Sequence, residues 1–296
     1  MERARLSYIY AGLAVFFWST IPTVFKIGLG ELEVIPMLAI ASAASAFVLF
    51  IIVLSEKKLA LLKRMTLNEL LISALLGFIN PFLYYIILLR AYQLLPAQVA
   101  QPLNMIWPII LVFLSVPLLK QKIPGKSYAA LFISFIGVYI ISSQGQLFHP
   151  GRSNTFGVLL ASGSSIFWAL YFILNVRDKR DESVKLFTNF MFASAYLIFA
   201  LFFSGKAGSA ISLRGAAASV YVGIFDMGIT FFFWLKALHF SENSAKVSNL
   251  VFLAPFLSLV FVHFIIKEPV YYTTPVGLLL IISGIYIQNR KTKTGN

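Results

Sequence analysis

Ten stretches of this chain are each long and apolar enough to cross a lipid bilayer, and no other feature narrows the possible folds as far. They fall near residues 6–28, 34–54, 68–91, 96–119, 127–144, 154–174, 186–204, 215–238, 243–266 and 272–288. A helix rises about 1.5 Å per residue, so roughly 20 apolar residues traverse the about 30 Å of hydrocarbon. Turn and charge signals separate the stretches, at Gly28-Leu29-Gly30-Glu31, Lys57-Lys58, Pro124-Gly125-Lys126, Pro150-Gly151-Arg152 and Arg177-Asp178-Lys179-Arg180. The thinnest division is Leu95-Pro96-Ala97. Transmembrane strands would read as about ten residues of alternating polarity, a pattern absent here. The expected fold is an all-α integral membrane protein of ten transmembrane helices. Composition agrees: only 12% of residues are charged, about half the share a soluble domain carries, so lipid must cover much of the surface.

The first stretch starts with charge, as a signal peptide does, but its apolar run extends to Lys26. That exceeds the roughly 7–15 residues of a cleavable core, and a retained first helix is expected. Net charge is +13, from 24 Lys+Arg against 11 Asp+Glu. The basic residues lie in short clusters between apolar stretches, which points to a bilayer partner with positive-inside loops and away from nucleic acid. With the N-terminus inside, 18 of the 24 fall on that side, including Arg3, Arg5, Lys57, Lys58, Lys122 and Lys179. Six fall on the other, namely Lys26, Arg90, Arg152, Lys206, Arg214 and Lys267. Both termini are therefore expected on the cytoplasmic face of a cell membrane.

The absences narrow the chemistry. With no cysteine, disulfides, thiolate metal sites and cysteine nucleophiles are excluded. His149, His239 and His263 form no metal-spaced pair, and no glycine-rich phosphate loop with lysine occurs. Gly163-Ser164-Ser165 sits inside a span with no histidine placed to activate it. No metal, cofactor or enzymatic activity is expected. An integral-membrane transferase, a facilitative channel and a non-transporting scaffold remain as alternatives to a transporter.

The chain also repeats. Leu89-Arg90-Ala91 recurs as Leu235-Lys236-Ala237, and at the same offset Gly77 matches Gly223 and Asn80 matches Asp226. With a one-residue slip, Pro108 matches Pro255, Lys120 matches Lys267, Gly137 matches Gly284 and Tyr139 matches Tyr286; near the starts, Phe17-Trp18 matches Phe167-Trp168. The units are expected at 1–148 and 149–296. Five spans per unit is an odd number, so the second copy sits upside-down. Inverted repeats of this kind build alternating-access transporters, with substrate at the interface near the midplane; a duplication kept for packing is the plainer reading.

A tryptophan in the first span of each half, Lys26 closing the first, and the Arg90-Ala91-Tyr92 and Lys236-Ala237-Leu238 segments followed by proline together resemble the drug/metabolite transporter superfamily, in its ten-helix EamA branch. The resemblance covers nearly the whole chain. It implies a permease of exporter type for small metabolites, with a central cavity lined from both halves. The acidic residue that often follows the fourth span of each half is Glu268 in the second copy and Gln121 in the first.

Polar residues inside spans mark candidate sites. Ser73, Gly77, Asn80 and Tyr84 lie on one helix face, and Ser219, Gly223, Asp226 and Thr230 repeat that spacing. These stripes either face a cavity or serve close helix packing. Gln98, Gln101 and Asn104 open the fourth span beside Pro102 and Pro108; Lys246, Ser248, Asn249 and Pro255 stand at the equivalent place. Trp18 and Trp168 lie too deep for interfacial anchors, as cavity walls or as packing, whereas Trp107 and Trp234 read as packing. The expected substrate-binding set is Trp18, Asn80, Tyr84, Gln101, Trp168, Asp226 and Thr230. The expected partner is a small-molecule substrate such as an amino acid, an amine or a drug-like metabolite, with protons as a candidate coupling ion. Asp226 stands out, because a carboxylate deep in a span must be paired, hydrated or protonated; a hydrogen bond to Asn80 or a nearby hydroxyl is the structural alternative.

Overall fold

A computed structural model describes residues 2–120, 125–147, 153–205, 210–241, 247 and 249–289, and among these the regular structure is entirely helical. Eight helices are long and apolar enough to span a bilayer: α1 (Arg5–Glu31), α2 (Val34–Ser55), α3 (Leu67–Leu94), α4 (Ala97–Leu118), α5 (Gly125–Ser142), α6 (Thr155–Arg177), α7 (Glu182–Phe203) and α8 (Leu213–Trp234). Two shorter apolar helices follow, α9 (Leu250–Ile266) and α10 (Thr273–Asn289). Ten elements thus stand where the ten apolar stretches lie. Side chains set several starts. Thr66 and Glu69 form a reciprocal capping box before α3, and Asn154, Asp181 and Ser212 accept N–H bonds at the starts of α6, α7 and α8.

The duplication reappears as matched irregularities. α3 widens into a π-helical segment at Phe78–Leu83, and α8 does so at Val222–Asp226. In α4 the chain kinks before Trp107-Pro108; in α9 a tight turn at Asn249–Leu253 precedes Ala254-Pro255. Lys120 and Lys267, which end these helices, both adopt the left-handed region, at φ 55° and 59°. Non-glycine residues seldom occupy that region, so its recurrence at equivalent positions is a shared structural feature of the two halves.

The halves interleave. α1 packs against α8 and α9, and its counterpart α6 packs against α3 and α4, so each first helix joins the third and fourth helices of the other half. Two mixed bundles result, α1/α8/α9 and α6/α3/α4. α2 crosses α7, with Ser42 and Ser194 hydroxyls 2.9 Å apart, and α5 pairs with α10. At the α5–α10 contact a Cβ on Gly137 would stand 2.6 Å from the Gly277 carbonyl. Small residues permit this approach between backbones, as membrane helix packing requires.

The glycines of the two polar stripes act likewise. A Cβ on Gly77 would strike the Asn189 carbonyl of α7, and one on Gly223 the Ala41 carbonyl of α2. Ser73 bonds Thr188 of α7 at 2.8 Å, and Ser219 bonds the Gly215 carbonyl of its own helix at 2.7 Å. These ends of the stripes belong to helix crossings; Asp226, at the end of its π segment, and Tyr84, just beyond the other, turn toward the junction of the bundles.

Candidate functional site

The bundles meet at mid-depth through aromatic rings. Phe231 of α8 has its ring centroid 5.9 Å from Trp18 of α1 and 6.0 Å from Trp168 of α6. Trp234 lies 5.4 Å from Trp18, while Tyr84 and Trp107 lie 5.1 and 6.4 Å from Trp168. Such separations suit edge and offset ring contacts. Trp18 and Trp168, equivalent in the repeat, thus each hold a third- or fourth-helix aromatic, and Phe231 links the two groups.

Asp226 stands beside this cluster at the end of the π segment in α8, and is 9% exposed. The Tyr85 hydroxyl of α3 donates to its carboxylate at 2.9 Å. Tyr85 is in edge contact with Tyr84, centroids 4.8 Å apart, which joins the acid to the aromatic cluster. Of the two structural partners expected, Asn80 or a nearby hydroxyl, it is a hydroxyl, that of Tyr85, that bonds the acid. A neutral hydroxyl donor stabilises the carboxylate without cancelling its charge, so Asp226 keeps the capacity to hold a cation or a proton.

The remaining predicted residues divide. Tyr84 donates to Asn104 of α4 at 3.1 Å, and Asn104 donates to Ser164 of α6 at 2.8 Å, tying α3, α4 and α6 together. Gln101 of α4 accepts from Ser258 of α9, a direct bond between the bundles. Thr230, one turn beyond Asp226, donates its hydroxyl to the Phe225 carbonyl left by the π segment. Asn80 belongs to a different group. Its side chain, with Asn189 and Asn175, stands around the Tyr171 hydroxyl, and none of the four oxygens has an aligned hydrogen-bond partner among the described residues. Trp18, Tyr84, Trp168 and Asp226 are therefore brought together, Thr230 lies one turn from Asp226, Gln101 joins α4 to α9 at Ser258, and Asn80 lies apart. Lys246 and Ser248 fall outside the described residues.

Sequence reasoning missed Tyr85 and Phe231; Trp107 and Trp234, read as packing, do pack, against Trp168 and Trp18.

Charged groups gather at the ends of the bundle. On the face that carries the N-terminus, Arg180 pairs with Asp178 at 2.5 Å and donates to Ser73 and the Glu69 carbonyl. Lys58 pairs with Asp181 at 2.7 Å. Burial pushes the carboxyls of Asp178 and Asp181 up, but hydrogen bonds from Arg180 and Lys58 outweigh it and leave both below their ordinary value. On the opposite face, Glu268 has its carboxyl raised, because burial outweighs the Lys26 charge and the backbone N–H groups it accepts from.

The profile of the EamA-like transporter family matches residues 5–143 and again 155–290. An uncharacterized transporter of Clostridium kluyveri is 25% identical over 99% of this chain and 96% of its own length. One from Archaeoglobus fulgidus is 25% identical over 96% of this chain and 99% of its own. The uncharacterized transporter YvbV of Bacillus subtilis is 28% identical over 75% of this chain and 72% of its own. A solved crystal structure with 17% identity superposes with TM-score 0.67 over 96% of each chain, a likeness of fold.

Proposed function

The chain belongs to the EamA-like transporter family, a multi-pass membrane protein of the drug/metabolite transporter superfamily, and from that premise we propose that it exports small amphipathic metabolites, amino acids or amines, by alternating access. Transport through such a fold moves a small molecule without chemical conversion. Two inverted units, 1–148 and 149–296, would rock about a site at their junction. The observation that supports this reading is Asp226: a buried carboxylate whose hydrogen-bond partner among the described residues is the Tyr85 hydroxyl, beside aromatic walls contributed by both bundles. The aromatic faces suit an apolar body or an organic cation, and the carboxylate suits an ammonium group. In this scheme an ammonium displaces a proton from Asp226 on the cytoplasmic side, and a proton displaces it on the other, so the two share one site in turn.

A toxicity-rescue screen tests the substrate class. Cells expressing the protein should tolerate raised levels of one or more amino acids or amines, whereas cells expressing Asp226→Ala should not. Equal tolerance in both for every compound would overturn the reading.

The same proposal places both termini in the cytoplasm of a bacterial or archaeal plasma membrane, with Lys57 and Lys58 inside. Lys122, Arg152 and Lys206, which also carry this expectation, lie outside the described residues. Because the chain has no cysteine, Lys57→Cys supplies the sole thiol. It should resist a membrane-impermeant maleimide in intact cells and react after the cells are opened. Full labelling in intact cells would reverse the orientation.

A further inference from the structure

The two bundles are also tied together at the face opposite the N-terminus, through groups that do not bond Asp226. Lys26, close to the end of α1, donates to the backbone carbonyls of Tyr92 and Leu95 at 3.0 and 3.1 Å. Tyr92 lies in the last turn of α3 and Leu95 caps it, where carbonyls lack partners within the helix. The same ammonium stands 3.7 Å from Glu268 in the α9–α10 turn. Glu268 in turn accepts the N–H of Ala97, at the start of α4, at 2.9 Å. Gln98, 1% exposed, completes the connection: its amide donates to the Pro269 carbonyl and accepts from the Tyr271 N–H and the Thr274 hydroxyl, each at 3.0 Å.

The Lys26 and Glu268 bonds to Tyr92, Leu95 and Ala97 cross between the two bundles, and Gln98 ties the α6/α3/α4 bundle to the α9–α10 turn and the start of α10. Lys26 and Glu268 belong to the α1/α8/α9 bundle and its following turn, whereas Tyr92, Leu95, Ala97 and Gln98 belong to the α3–α4 turn of the other bundle. They floor a shallow pocket of about 270 Å³ lined by Lys26, Gln93, Pro96, Gln98, Glu268 and Tyr271. Movement that opens the aromatic site toward this face has to part the α3–α4 turn from Lys26 and Glu268. Neither charged group can leave the other unpaired without cost in a half-buried setting, so the pair moves as a unit and the turn is released from it.

We infer that Lys26, Glu268 and Gln98 form a gate on this face, closed in this structure, that must release the α3–α4 turn each time the site opens there. The inference rests on the alternating-access reading. The gate is asymmetric: the residue equivalent to Glu268 in the first half is Gln121, which has no charge and lies outside the described residues. The opposite face therefore lacks an equivalent of this pair; its ties are the Arg180 bonds to Ser73 and the Glu69 carbonyl and the Lys58–Asp181 pair.

The test uses the full-length protein in membrane vesicles of both orientations, with Ser258→Cys in mid-α9 as the sole thiol and a membrane-impermeant thiosulfonate as probe. Ser258 is fully buried and bonded to Gln101, so its reactivity reports opening of the junction. Glu268→Gln keeps a group able to accept the Ala97 N–H but removes the charge; Lys26→Gln removes the same pair from the other side. Each should raise labelling from the Lys26 face by about tenfold, as expected when a state populated at a few per cent becomes common, and lower it from the N-terminal face. General loosening would raise both rates, and that result, or no change in either with both substitutions, would overturn the gate. A reciprocal change with the faces exchanged in intact cells would instead correct the orientation and leave the gate standing.

Discussion

Asp226→Asn should reach the membrane in normal amount and lose proton-driven transport of the substrate that the rescue screen returns. The amide keeps the shape of the side chain and an oxygen able to accept from Tyr85, whose hydroxyl now bonds the carboxylate at 2.9 Å. Its one loss is the charge. A hydrogen bond to a charged group contributes about 1.5–3 kcal/mol, which corresponds to roughly 10–150-fold in affinity for an ammonium ligand. The expected result is a loss of that size in transport efficiency together with a flat pH profile. Tyr85→Phe separates positioning from charge: it removes the bond but keeps the carboxylate, so pH dependence should survive with a shifted midpoint. Undiminished and still pH-dependent transport by Asp226→Asn would make the residue structural.

The second large effect concerns the helix crossings. Gly223→Val should yield little folded protein, and Gly223→Ala should lower stability in detergent by about 1–3 kcal/mol, the usual cost of overpacking. The cause is the Ala41 carbonyl of α2, which a Cβ would strike, and the Ala44 Cβ, which it would approach to 2.8 Å. Gly163→Ala serves as the control, since nothing stands within 4 Å of a Cβ there. Thermal unfolding of purified variants checks the pair. Equal stability of Gly223→Ala and Gly163→Ala would show that α2 and α8 can separate at no cost.

Much of the fold was legible because spans and turns obey simple rules. The boundary at Leu95-Pro96-Ala97 holds, with α3 ending at Leu94 and α4 starting at Ala97. The Lys120/Lys267 and Pro108/Pro255 matches became matched caps and kinks. The interleaving of the halves was not legible. A helix that faces lipid on one side and apolar side chains on the other carries no polarity contrast to show which side packs. The same difficulty hid Phe231, one of three consecutive phenylalanines, of which only the fold could say which ring meets Trp18 and Trp168.

The site was legible in part for a sharper reason. A face drawn from Ser73 and Gly77 at helical spacing reaches Tyr84, but the π segment at Phe78–Leu83 adds to the turn and rotates the residues beyond it. Tyr84 and Tyr85 are both buried as a result, and it is Tyr85 that meets Asp226. Asn80, inside the irregular segment with φ −149° and ψ 124°, leaves the helical face altogether and joins Tyr171 instead. Lys26 and Glu268 were each visible as charges at span ends, but the contact between them crosses from one half to the other.

The most direct test of a proton and a substrate sharing Asp226 is to track both at once in proteoliposomes that enclose a pH dye. With no gradient imposed, adding the identified substrate to one side should drive protons toward that same side as substrate leaves it, and the flux of each should scale with the other. Asp226→Asn should abolish the proton signal. Substrate that crosses the membrane at the wild-type rate with no accompanying proton movement would contradict the account.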